Sequence, residues 1–138
     1  GLASELELGN LNAKRDWGFA GDYVEAMWLM LQAEKADDYV VATGVPHTVR
    51  DFVNAAADGL GLILNWEGEG KDEIAKDEKG NVVVKVNPEF YRPLEAHDVI
   101  GDSTKLQESL GWQPKVSFEE LVKMMVLADL EYARIQAQ

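Results

Sequence analysis

Apolar positions fall into short groups whose spacing alternates between helical intervals and continuous runs. Over 22–32, Tyr23, Ala26, Met27, Met30 and Leu31 recur every three or four residues, which predicts a helix. Asp22 stands where a cap belongs. Val24, Trp28 and Leu29 make the same segment apolar on its other faces, so it is expected to be well buried. At 38–43 the pattern becomes a continuous run, Tyr39-Val40-Val41, which suits a strand covered on both faces. Thr48 then opens a second helix with the stripe Val49, Phe52, Val53, Ala56 and Leu60, ended by Gly59 and Gly61.

Further strands are predicted at 5–8, 62–67 and 82–86, and 10–21 reads as a polar loop. The stretch 68–80 is charged and glycine-bounded, a loop ending in the turn Glu78-Lys79-Gly80-Asn81. Pro88 and Pro93 flank an irregular segment holding Phe90, Tyr91 and Arg92. Asp102 is expected to cap a short helix that runs through Leu110 and closes at Gly111, and Pro114 blocks its continuation. Ser117 and Glu120 form a capping box for the last helix, whose stripe is Leu121, Met124, Met125, Ala128 and Tyr132. Helices and strands alternate through much of the chain, so the fold class is α/β.

Composition narrows the functions. With 138 residues, 46% hydrophobic and 28% charged, the chain can build a real core and is not of the disordered class. No apolar stretch approaches the ~20 residues that span a bilayer. The absence of cysteine excludes disulfides, thiol catalysis and cysteine metal sites, and fits a cytoplasmic location. A net charge of −12 without a Lys/Arg run argues against a nucleic-acid partner. The chain opens on Gly1 rather than Met, as expected of a segment processed or cut from something longer.

Several chemistries lack their residues. No glycine-rich dinucleotide loop and no phosphate-binding Gly-x-x-x-x-Gly-Lys-Ser/Thr loop is present. No Tyr is followed four positions later by Lys, so that acid/base pair is missing. His47 and His97 are isolated, without metal-ligand spacing, and are expected to be loop or surface residues. Two segments carry candidate chemistry. In 9–18, Arg15 follows Lys14 and precedes Asp16 and Trp17. Arg15 could pair with Asp16 or another acid. Alternatively its planar fork could clamp phosphate oxygens, with Trp17 fixing its direction. In Tyr91-Arg92-Pro93-Leu94-Glu95, Pro93 drives Arg92 into an extended conformation. That segment is either a structural turn or a second clamp, in which Arg92 holds a phosphate and Glu95 accepts hydrogen bonds from sugar hydroxyls.

Together these segments resemble the GDP-mannose 4,6-dehydratases. The match runs through Leu8-Gly9-Asn10-Leu11, Ala13-Lys14-Arg15-Asp16-Trp17-Gly18 and the helix from Asp22 to Leu31. It continues at Ala42-Thr43-Gly44, His47, Val49-Arg50, Asn65-Trp66-Glu67-Gly68 and Tyr91-Arg92-Pro93 with Glu95. Gly101-Asp102, Thr104-Lys105 and Leu110-Gly111-Trp112-Gln113-Pro114 complete it, and the 71–80 loop departs from the family pattern. The resemblance implies the C-terminal, substrate-binding part of an extended short-chain dehydrogenase/reductase. Residues 1–138 would be one nucleotide-sugar-binding domain, including elements that normally join the Rossmann sheet. It implies that Arg15 and Arg92 hold the phosphates of GDP-mannose or GDP, and that Glu95 contacts the ribose. NADP would belong to the complete enzyme, and none is expected to bind this chain alone. No residue here is expected to be catalytic or to ligate a metal. The partner would be the missing N-terminal Rossmann half or a second copy. The alternative is a stand-alone, non-catalytic GDP-sugar-binding or dimerisation module of the same descent.

Overall fold

The computed structural model describes residues 3–92 and 100–136, so the expectations for Pro93, Glu95 and His97 lie outside the described residues. The chain divides into two compact units. One comprises Gly1–Ala13, Thr48–Ala96 and Val122–Gln138, the other Lys14–His47 and His97–Leu121.

The first unit is built on a four-stranded sheet. Its strands are β1 (Leu6–Leu8), β4 (Asn65–Glu67), β5 (Ile74–Lys76) and β6 (Val82–Val86), in the spatial order β1-β6-β5-β4. β1 runs parallel to β6 with Leu6 opposite Val84 and Leu8 opposite Val86, and β5 is antiparallel to both its neighbours. Ala75, Val84 and Val86 are buried, as the period-two alternation of a strand requires. β5 falls inside the stretch whose charges and glycines predict a loop. A single 3-10 turn, Gly70–Asp72, precedes it. Ala75, its one fully buried side chain, is too small to stand out in a hydropathy pattern.

Helix α2 (Val49–Gly59) starts as its sequence dictates. Thr48 and Asp51 exchange the two bonds of a capping box. The next amides look outward: Val49 and Arg50 donate to the carbonyls of Ala13 and Leu11, both at 3.0 Å. Helix α4 (Phe118–Gln136) belongs to this unit from Val122 onward, and there it turns inward Val122, Val126, Leu130 and Ala133. The expected stripe is therefore corrected, because Met124, Met125 and Tyr132 are exposed. The sequence offers two interleaved apolar faces, and packing beside Gly59, where Val126 sits, selects the face with four-residue spacing.

The second unit holds α1 (Ala20–Gln32) and α3 (Thr104–Leu110) around a core of Ala26, Leu106 and Trp112. Tyr23, Leu29, Met30, Tyr39, Val41 and Leu110 pack against that core. β2 (Lys14–Arg15) and β3 (His47–Thr48) form a second, two-stranded sheet. Asp22 does not cap α1. Phe19 occupies that position, and Asp22, 4% exposed, points inward. One Asp22 carboxylate oxygen accepts from the amides of Lys115 (2.9 Å) and Val116 (3.0 Å), and its carbonyl accepts from Trp112 Nε1 at 2.8 Å. Asp102 does supply an oxygen to the start of α3, accepting from Thr104 N at 2.9 Å, although Ser103 is the capping position. Gly111 closes α3 in the left-handed region at φ +69°.

Two expectations for this unit fail. Residues 38–43 form no strand, because a strand needs a ladder partner and none of the described residues supplies one. Helix α1 is not buried all round. Ala26 is fully enclosed, whereas Val24, Met27, Trp28 and Leu31 are exposed, Leu31 at 82%. Contiguous exposed apolar side chains of this kind mark interaction surfaces.

Candidate functional site

In the first unit, two segments meet where β1 ends. A Cβ on Gly9 would stand 2.6 Å from the carbonyl oxygen of Phe90, so only glycine permits this backbone approach. Beyond it, Asn10 organises its own turn. Its side-chain oxygen accepts from Asn12 N at 3.0 Å and its carbonyl from Ala13 N at 3.3 Å. Leu11 and Ala13 are buried and Asn12 faces outward. The opposing segment leaves β6 at Asn87, whose amide donates to Leu8 O at 2.8 Å. Asn87 O then accepts from Phe90 N (3.0 Å) and Tyr91 N (3.1 Å). This turn half-buries Tyr91, with Lys71 Nζ 5.7 Å from its ring centroid, and presents Arg92 exposed.

Arg50, which sequence reasoning assigned no role, lies in the first turn of α2 in the same unit. Its Nη1 donates to Glu73 Oε1, and its Nη2 donates to Glu73 Oε2 at 2.8 Å and to Asn12 Oδ1 at 3.2 Å. Its guanidinium lies 4.9 Å from the Trp66 ring centroid, and Trp66 Nε1 donates to Asn54 Oδ1 at 2.9 Å. Glu73 is 4% exposed, and a carboxylate that buried requires a partner of this kind. No local pattern marks the pair: Glu73 lies 23 residues after Arg50, inside the charged stretch 68–80.

On the outer face of β1 and β6, Lys85 bridges Glu5 (2.5 Å) and Glu7 (2.8 Å). The Lys85 and Asn87 donors hold the Glu7 carboxyl below the usual range, and the two carboxylates push Lys85 above its own.

In the second unit, Arg15 lies on β2, exposed, with Nη1 donating to Lys14 O at 2.7 Å. Both oxygens of Asp16 accept elsewhere: Oδ1 from Thr43 N (3.1 Å) and Thr43 Oγ1 (2.5 Å), Oδ2 from Gly44 N (2.8 Å). Trp17 packs on Phe118 at 5.9 Å between ring centroids, and His47 stacks on the same ring at 3.8 Å and 8°. These three rings, with Thr43 and Lys115, line a cleft of about 390 Å³. His47 is thus an aromatic packing residue. Arg15 belongs to one unit and Arg92 to the other, and Glu95 lies outside the described residues. Among the described residues no three His, Asp or Glu side chains gather as a metal site, and no helix is long and apolar enough to cross a membrane.

The family model described as GDP-mannose 4,6 dehydratase matches residues 1–125. The chain is 51% identical over 125 residues to GDP-mannose 4,6 dehydratase 2 of Caenorhabditis elegans, covering 91% of this chain and 33% of the relative. It is 52% identical over 134 residues to GDP-mannose 4,6 dehydratase 1 of Arabidopsis thaliana, covering 97% of this chain and 33% of the relative. The chain therefore spans about a third of the length of the curated relatives it matches. Among solved structures, RMD from Pseudomonas aeruginosa complexed with NADPH superposes with a TM-score of 0.69 at 20% identity. The superposition covers 95% of this chain and 37% of that one, a likeness of fold.

Proposed function

The chain belongs to the GDP-mannose 4,6-dehydratase family, and from that premise we propose that it is the C-terminal, nucleotide-sugar-binding portion of such an enzyme. The whole enzyme would take GDP-mannose to GDP-4-keto-6-deoxymannose and water. This portion would supply substrate contacts and be inactive alone. Arg15 and Arg92 hold the GDP phosphates through charge-assisted bonds, and Glu95 accepts from the ribose hydroxyls. Residues 1–138 act as one substrate-binding domain in the complete protein, in the cytoplasm.

NADP, when bound, supplies the hydride acceptor and donor of the reaction. The residues here do not fit it: the chain has no glycine fingerprint and no Tyr-x-x-x-Lys. No redox or proton-transfer step is assigned to this chain. Cofactor binding belongs to the remaining two thirds of the relatives' length, which the exposed face of α1 would meet.

The observation that best supports this reading is the close approach of Gly9 to Phe90. It sets the Asn10 loop against the turn that presents Arg92. Calorimetric titration with GDP-mannose, GDP and ADP tests it. GDP-selective binding supports a usable half-site. Equal affinity for ADP, or no binding by either this chain or the complete enzyme, would discard it.

A further inference from the structure

The Arg50–Glu73 pair connects two segments that also meet where β1 ends. The Asn10 loop touches the Arg92 turn through Gly9 and Phe90. At its far end that loop is tied to Arg50, through Asn12 Oδ1 on Nη2 and through Leu11 O on the Arg50 amide. Glu73 grips the same guanidinium with both oxygens. The carbonyl of Glu73 accepts from Val86 N at 3.0 Å, one residue before Asn87, on which the Arg92 turn is folded. The Trp66 ring, fixed at its edge by Asn54, covers the guanidinium and limits its movement.

We infer that Arg50 is a positioning residue. With Glu73 it braces the Asn10 loop against the base of the Arg92 turn, and so sets the position from which Arg92 meets the nucleotide diphosphate. Arg50 itself is committed to Glu73, Asn12 and Trp66 and acts through the segments it holds. Lysine cannot substitute, because one ammonium point charge does not span two carboxylate oxygens and an amide oxygen in a plane. The role in binding rests on the function proposed above, whereas the brace itself does not.

The test is site-resolved amide hydrogen exchange on this chain, followed by GDP titration, in Arg50→Lys. Exchange is expected to rise about tenfold at Asn12 and Ala13 and also at Phe90 and Tyr91, on the scale of one lost charge-assisted bond. Gly80 and Asn81, in the β5–β6 turn of the same sheet, should be unchanged. GDP affinity should fall about tenfold at a temperature where the variant stays folded, beside some loss of melting midpoint from the weakened partner of buried Glu73. Faster exchange in only one segment, or uniformly along the chain, overturns the brace. Unchanged GDP affinity despite faster exchange in both overturns the positioning role. Should Arg50→Lys fail to fold, Asn12→Ala decides, since that side chain is exposed: exchange should rise at Asn12 and Ala13 alone, and no change there overturns the brace. The exchange comparison needs no ligand, so failure of both this chain and the complete enzyme to bind GDP removes the function reading and leaves the brace to be judged separately.

Discussion

Gly9 and Phe90 stand so close that a single added methyl on the first would meet the carbonyl oxygen of the second at 2.6 Å. The obstacle is backbone, which has no rotamer to escape into. Gly9→Ala must therefore move the Arg92 turn away from the Asn10 loop, at a cost of about 1–3 kcal/mol as for overpacking elsewhere. Urea denaturation measures the loss. The same variant should bind GDP more weakly than its destabilisation explains. A variant as stable as the parent, with the same GDP affinity, would show that the two segments need not touch.

Arg92 is exposed beyond a well-anchored turn, so truncating it should remove a ligand contact and little of the fold. Arg92→Ala is expected to weaken GDP-mannose binding by roughly 1.5–3 kcal/mol, the scale of a lost charge-assisted hydrogen bond. Its melting midpoint should stay within a degree or two of the parent's, as for most exposed substitutions. Full affinity in the folded variant would take Arg92 out of the site.

The elements set by local rules were legible. The Thr48–Asp51 and Ser117–Glu120 capping boxes, the Gly111 helix end and the strand at Val82–Val86 all follow from residues within a few positions of one another. What was not legible depends on distant partners. The Tyr39-Val40-Val41 run has strand composition and no ladder neighbour among the described residues. β5 is a strand through its pairing with β4 and β6 rather than through its own apolarity. Arg50 reads as one more helix cation until the fold brings Glu73 to it. Arg92 stands out through its motif, and the structure shows it exposed beyond the Asn87 turn.

Asp22 carries three contacts from one residue. Replacing it with Ala leaves the amides of Lys115 and Val116 without their acceptor at a part-buried position. Each buried, unsatisfied donor costs about 1–3 kcal/mol, so Asp22→Ala should be among the more damaging substitutions in this unit. Asp22→Asn keeps an oxygen for those amides and should recover much of the loss. Chemical denaturation of the pair decides, and equal stability of Ala and Asn would show that the amides find water instead.

The β1–β6 ion cluster makes stability depend on pH in a defined direction. Lys85 and Asn87 hold Glu7 below its ordinary value of 4.5. A carboxylate whose folded value is depressed contributes stability that is complete above the ordinary value and is lost as pH falls through the folded one. Lys85 is shifted upward by Glu5 and Glu7, so its contribution is complete below 10.5 and is lost as pH rises through the folded value. Between those limits the cluster contributes fully, and each limb belongs to a different residue. Glu7→Gln should therefore flatten the acid limb of a stability–pH curve below 4.5 while the neutral plateau drops only slightly. Because the group is exposed, added salt should shrink the difference between parent and variant. An acid limb that superposes on the parent's would mean that Glu7 titrates alike in the folded and unfolded chains, and that the Lys85 bridge does not persist in solution.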